Sequence, residues 1–262
     1  MVDSLRKGHF PLLVLEVGDF IETDAIKADL VNPFLIASME RDGVAALTLG
    51  PPEFAHWDQF QGWMGESRIP IVQTNVSFQE ADRGQAIRTS AVVTVEGVRV
   101  GLLGVIGADA FEKIDASTKS ALQFRDPVEA IEGELPALKA EGADLVVVLA
   151  CAGDEEAARI AREALGADVV LSGYESYAST FPFLEGQAIL NRSGSHGQFA
   201  GIVRLVLSPE NEILDWGGRN TALFLKLPQD PAVAEQVSAL EEAINQARME
   251  AGRAPVVPPP CN

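Results

Sequence analysis

Four strongly apolar runs, each broken off by a short segment containing glycine, limit most sharply what this chain can fold into. Leu12 to Val17 stops at Gly18-Asp19, and Val44 to Leu49 stops at Gly50-Pro51-Pro52-Glu53-Phe54. The run from 144 to 150 ends in Cys151-Ala152-Gly153, and the run from 168 to 172 ends in Gly173-Tyr174-Glu175-Ser176. Continuous apolar runs without alternation suit strands buried on both faces; only Glu16 interrupts the first of them. In an α/β protein the loops that follow such strands carry the site. These four segments are therefore the candidate site.

The rest of the chain reads as one mixed α/β domain. Residues 2–8 suit a short helix. Thr23 can cap a helix carrying Ile26, Leu30, Phe34 and Ala37, which Pro33 should kink or divide. Phe54, Trp57, Gln61 and Met64 predict a helix over 53–66, followed by a strand from Ile71 to Asn75. Residues 91–95 and 98–103 flank Glu96-Gly97 as an antiparallel hairpin. A helix over 127–141, the strand 144–150, a helix over 154–165 and the strand 168–172 run in β-α-β order. Three further strands, at 187–190, 200–207 and 212–216, are expected to be antiparallel. Residues 229–251 predict a charged helix, and 255–260 an extended Pro-rich tail. The division is thus a domain over 1–228 and a helix with its tail over 229–262.

Charge narrows the partners. With 38 acidic and 20 basic residues in 262, the formal net charge is −18. Nucleic acid and anionic membrane surfaces are disfavoured, and a phosphorylated substrate would be repelled without metals or a local basic cluster. Cys151 and Cys261 make neither a disulfide framework nor a zinc motif. No apolar run reaches the ~18 residues of a membrane span, and the first residues hold no apolar core of a signal peptide.

The order of these pieces resembles the metallophosphoesterase domain of the bacterial 5′-nucleotidase family, in the calcineurin-like superfamily. Gly18-Asp19-Phe20 looks like that family's Gly-Asp strand end, and Gly50-Pro51-Pro52-Glu53-Phe54 like its Gly-Asn-His-Glu-Phe segment. Cys151-Ala152-Gly153 stands where the family has His-x-Gly, and Gly173-Tyr174-Glu175-Ser176 where it has Gly-His-x-His. Asn75, the hairpin around 96–97 and Ser193–Gly197 fall in matching order, so the likeness spans roughly 10–216. The resemblance implies a four-layer α-β-β-α sandwich with two mixed sheets and two cations that polarise a phosphoryl group and generate hydroxide.

Carried over by position, Asp19 remains at the bridging place, while Pro51, Pro52, Cys151, Tyr174 and Ser176 replace an amide and imidazoles. The family's opening Asp-x-His and its strand have no counterpart in this sequence, nor does its C-terminal substrate domain. The expectation is a remnant pocket of Asp19, Pro51, Pro52, Glu53, Cys151, Tyr174 and Ser176, with no catalytic residue, metal or other cofactor. The function expected is a non-catalytic scaffold, binding or assembly subunit. A protein partner or homo-oligomer would cover the sheet edge exposed by the absent strand, without insertion into a membrane. The alternative is a hydrolase with a rebuilt single-metal site drawn from Asp19, Glu53, His56, Cys151 and Glu175. The family's habit of export points to the periplasm or cell surface.

Each residue also has a plainer role. Asp19 can cap the next turn, and Pro51-Pro52 suits entry into a helix. His56 reads as an exposed helical residue, Cys151 as a small buried one, and His9 and His196 as surface. Tyr174, Tyr177, Phe181 and Phe183 can fill an emptied pocket or line a cleft.

Overall fold

The computed structural model describes residues 2–8, 10–175, 177–223 and 229–256. Helix α1 (Val2–Arg6) leads to strand β1 (Val14–Glu16), helix α2 (Ala28–Arg41) and strand β2 (Val44–Leu47). Helices α3 (Pro51–Ala55) and α4 (Trp57–Met64) precede β3 (Ile71–Val72), β4 (Val76–Phe78) and β5 (Ile87–Arg88). Strands β1, β2, β3 and β5 make a parallel sheet in that order.

The hairpin β6 (Ser90–Val95) and β7 (Val98–Ile106) turns through Glu96 and Gly97, both at positive φ. Short helices α5 (Ala108–Phe111) and α6 (Ala116–Lys119) follow, then β8 (Leu122–Phe124), which pairs with β4. The chain continues through α7 (Pro127–Ala140), β9 (Leu145–Cys151), α8 (Asp154–Glu163), β10 (Val169–Ser172), β11 (Phe183–Glu185) and β12 (Ala188–Arg192). These strands build the second sheet in the order β11-β12-β10-β9-β7-β6. The hairpin of β13 (Phe199–Leu207) and β14 (Ile213–Ala222) and the helix α9 (Pro231–Glu250) complete the described chain.

The expected α-β-β-α sandwich is the observed one, but of the two sheets expected to be mixed only the second is; the first is parallel throughout. Ala46, Val72, Leu102, Val147, Leu149 and Ile189 form the core between the sheets. Phe54, Trp57 and Phe60 cover the outer face of the first sheet at Leu47 and Ile71. Ile131, Leu135, Leu138 and Ile160 cover the second at Val146, Val148 and Val170. Gly104 lets the sheets approach, since a Cβ there would lie 2.0 Å from the Val72 carbonyl oxygen. Helix α9 is tied to the domain by Arg41–Gln236 and, just beyond its end, Arg253–Asp24 contacts.

Several local expectations differ from the structure. Pro33 does not divide α2: buried Asn32 bonds both the N–H and the C=O of Glu22, which holds that turn in place. Thr23 does not cap it; the helix follows Lys27, and Asp24 organises the turn before it by accepting the Ile26 N–H. The helix expected over 53–66 is two helices that part at His56, and it starts earlier. Pro51 opens α3 because the first helical turn needs no amide donor. Strand β12, expected to be antiparallel, pairs parallel with β10; β11 makes the return run and takes the antiparallel pairing.

Candidate functional site

The loops after β1, β2, β9 and β10 meet at one end of the sandwich. A Cβ on Gly50 would stand 2.7 Å from the Asp19 nitrogen and 2.9 Å from Cys151 Sγ, so only glycine admits this approach. Tyr174 and Cys151 share the apolar cluster of Phe54 and Leu49. Asp19, Gly50, Cys151 and Tyr174 are thus brought together, as the sequence order implies.

The loops are set from below by a buried polar strip that sequence reasoning passed over. Gln73 accepts from Thr48 Oγ1 (2.9 Å) and the Leu49 N–H (3.3 Å), and its Nε2 donates to Asn75 Oδ1 (3.0 Å). Asn75 Nδ2 donates to the carbonyls of Ile106 (2.8 Å) and Arg125 (3.1 Å), and its Oδ1 accepts the Ile106 N–H. Polar residues ending an apolar strand were the available signal. Their bonds tie the end of β2 to the end of β7.

Glu53 dominates the site. It is fully buried, and its carboxylate accepts the N–H groups of Asp19 (3.1 Å), Phe20 (2.9 Å), Ile21 (3.2 Å) and Gly50 (2.8 Å). Burial pushes its pKa up, while these bonds favour the charged form. Every usual acceptor direction of the two oxygens is engaged by backbone, leaving no lone pair aimed at a cation. Pro51 is buried and Pro52 half-buried in the first turn of α3, and neither offers a ligand atom.

Asp19 sits at φ 59° with its residue surface open to solvent. Desolvation of its carboxyl, then the charges of Glu53 and Glu175, push its pKa up to about 7. The expected capping role is not observed: Asp19 donates its own N–H to Glu53, and the carboxylate that organises the turn is Glu53. Glu16, noted in sequence only as a break in an apolar run, is pushed up to about 7 by desolvation and Glu53. Its Oε1 accepts the Val17 N–H at 2.9 Å.

Cys151 is fully buried, and desolvation together with Glu53, Asp19, Asp109 and Glu16 raises its thiol pKa well above the usual value. Tyr174 is 6% exposed and its phenol is likewise raised, by burial, Glu175 and Asp19. His56, expected to be an exposed helical residue, is half-buried at the break between α3 and α4, where its Nδ1 bonds Gln59 Oε1 at 3.0 Å. His196 lies exposed in a turn at φ 59°. Ser176, His9 and Cys261 lie outside the described residues.

Of the four aromatics considered as filling, Tyr174 alone is buried. Tyr177 and Phe181 are 83% and 62% exposed, and Phe183 is half-buried beneath the Arg192 guanidinium at 5.3 Å. Tyr177 and Phe181 thus stand in solvent and fill no pocket.

A dinuclear metal centre does not fit these residues. Among the described residues no group of three or more His, Cys, Asp or Glu side chains is placed to hold a metal ion. The carboxylate nearest Asp19 is already spent on four amides, and the sulfur is a buried thiol held protonated.

No protein-family model matches the chain. It is 23% identical over 276 residues to a snake venom 5′-nucleotidase of Naja atra, covering 96% of this chain and 52% of that protein. It is 28% identical over 217 residues to a probable 5′-nucleotidase of Treponema pallidum, covering 80% and 35%. The crystal structure of a 5′-nucleotidase precursor from Thermus thermophilus superposes with a TM-score of 0.81 at 22% identity, over 95% of this chain and 52% of that one. The chain spans about half or less of the length of the curated relatives it matches here. Among the described residues no helix is long and apolar enough to cross a membrane.

Proposed function

We propose that this chain, a 5′-nucleotidase-like domain with the calcineurin-like phosphoesterase fold, serves as a non-catalytic binding or assembly module. The observation that carries the reading is the Glu53 carboxylate, saturated by four backbone amides at the convergence of the site loops. Two-metal hydrolysis needs several free anionic or imidazole ligands around a bridging carboxylate. Here Pro51 and Pro52 supply none, Tyr174 is packed in the core, and Cys151 is a protonated buried thiol. A single-metal hydrolase would need Glu53 to abandon its amides and His56 to turn back from Gln59, so it has less support.

The module would work with a protein partner or a further copy of itself. Export to the periplasm or cell surface belongs to the same proposal, because the relatives include a venom enzyme and a precursor. Fractionation of cells expressing the native gene tests that part; a purely cytosolic pool would remove it.

The test of function is elemental analysis after incubation with Mn²⁺, Zn²⁺, Fe²⁺ and Ca²⁺, with phosphoesterase assays on AMP and bis(p-nitrophenyl) phosphate. The expected result is no stoichiometric metal and no turnover. Metal at one or two ions per chain, with turnover lost in Asp19→Ala, would overturn the proposal.

A further inference from the structure

A cavity of ≈ 550 Å³ opens at the starting ends of β9 and β10, the end of the second sheet opposite the loops that carry Cys151 and Tyr174. That volume is of the size small ligands occupy. The sheet forms one wall, with Leu145 and Ile189 only 5% and 3% exposed and Asp144 and Asp168 beside them. The hairpin forms the other: its β13–β14 turn brings Glu210 and Glu212, and β14 brings Trp216. Each wall thus offers apolar surface and a pair of carboxylates.

Both walls are fixed by bonds that leave carboxylate oxygens over. Asp144 and Asp168 each accept one backbone N–H at 2.7 Å, of Arg99 and Val146, and the second oxygen of each is unbonded among the described residues. Ser208 Oγ accepts the N–H groups of Glu210 (3.2 Å) and Glu212 (3.1 Å), and the Ser208 N–H closes the turn onto the Glu212 carbonyl at 2.8 Å. The turn is held through its backbone, and both glutamate side chains stand exposed. Trp216 packs against the core between the sheets, which sets its indole in place.

This charge is uncompensated. No ion pair to any of the four carboxylates exists among the described residues. Arg99 turns its guanidinium to the carbonyls of Glu141 and Gly142 instead. Burial pushes the Asp168 carboxyl up, opposed by the Val146 N–H and by Lys139, so a cation in the cavity would favour its charged form.

The spread of the charges selects the kind of cation. Among the described residues no three His, Cys, Asp or Glu side chains converge on a metal ion, so a compact divalent ion does not match. Ammonium groups set apart on a hydrocarbon chain match both features of the walls. The charges meet carboxylates on either side, the methylenes cover Leu145 and Ile189, and an ammonium can face the indole.

We propose that this cavity binds a linear aliphatic polyamine, with its ammonium groups shared between the Asp144–Asp168 and Glu210–Glu212 pairs and its methylenes laid on Leu145, Ile189 and Trp216. The net charge of −18 would gather such a polycation near the surface. The site lies at the end of the sheets remote from Asp19 and Glu53, so phosphoesterase turnover or its absence has no bearing on it.

The probe is spermine, titrated into the full chain by isothermal calorimetry at fixed ionic strength. Any polycation is drawn to so acidic a body, so two double variants with the same change in charge are compared. Glu210→Gln, Glu212→Gln alters the cavity, and Glu241→Gln, Glu242→Gln alters an exposed face of α9. We expect one spermine per chain, bound about tenfold more weakly by the first variant and unchanged in the second. Amide hydrogen exchange over 145–146, 187–189 and 212–216 should slow on binding. Tetralysine should bind more weakly than spermine, because its peptide groups would be desolvated against Leu145 and Ile189.

No saturable binding, equal weakening in the two double variants, or protection confined to other segments would overturn the proposal. Tighter binding of tetralysine would overturn it in favour of a basic polypeptide segment. Displacement of spermine by Mg²⁺ at the same concentration of charge would overturn it in favour of a simple ion.

Discussion

Glu53 accepts the amide N–H of Asp19 at 3.1 Å, joining the loop after β1 to the first turn of α3 across 34 residues of sequence. The same carboxylate takes the next two amides and that of Gly50. Asp19 is the acidic residue that the family resemblance singles out, and its own backbone is what disarms its neighbour as a ligand. The site is organised as a structural clamp: one anion neutralised by converging N–H dipoles, in the manner of a backbone nest.

Removing that anion should be severe. Glu53→Ala leaves four buried amides without an acceptor and is expected to cost at least about 3 kcal/mol, given the usual penalty for buried donors. Glu53→Gln keeps one acceptor oxygen and should cost less. Urea denaturation of the three proteins checks the order; an unchanged midpoint for Glu53→Ala would refute the clamp.

Stability should fall as pH rises from about 4.5 to about 7. Glu16 and Asp19 titrate near 7 in the folded chain, above their ordinary values of 4.5 and 3.8. Through that window the folded state holds protons that the unfolded state has released, so unfolding is favoured by each step upward. The contribution is fully present below the unfolded values and gone above about 7. Urea midpoints across this range in wild type and Glu16→Gln test it, with a shallower slope expected in the variant.

Cys151 should not react while the protein is folded. Its sulfur is buried and its thiol pKa is raised, so iodoacetamide at neutral pH should leave it unmodified until denaturant is added. Peptide mass mapping distinguishes it from Cys261. Rapid native labelling of Cys151 would mean that the site loops open readily.

Gly104→Ala should destabilise the sandwich by about 2 kcal/mol or more, since overpacking against backbone cannot be relieved by a rotamer change. The added methyl would fall 2.0 Å from the Val72 carbonyl and 2.5 Å from Thr48 Oγ1. Thermal unfolding measures the loss. A variant as stable as wild type would show that the two sheets can part at this point without penalty.

The sequence by itself determined where the longer strands and helices lie, because apolar runs and glycine stops report the burial of their own segment, while short elements such as β4, β5, β8 and β11 left no such mark. The runs at 144–150 and 98–103 became Leu145–Cys151 and the longer Val98–Ile106, and Glu96-Gly97 announces its own turn. The order of these pieces was enough to expect the sandwich and to bring Asp19, Gly50, Cys151 and Tyr174 to one end. Tertiary structure alone decided what those residues do there. The bonds of Glu53 join residues more than 30 apart, and the polar strip of Gln73 and Asn75 exists only once β2, β3 and β7 are packed. Tyr177 and Phe181 carry the same aromatic signal as Tyr174, yet they stand in water while Tyr174 is packed in the core. Strand order was equally out of reach, because pairing partners are chosen by packing across the fold, whereas periodicity records only the two faces of a single strand.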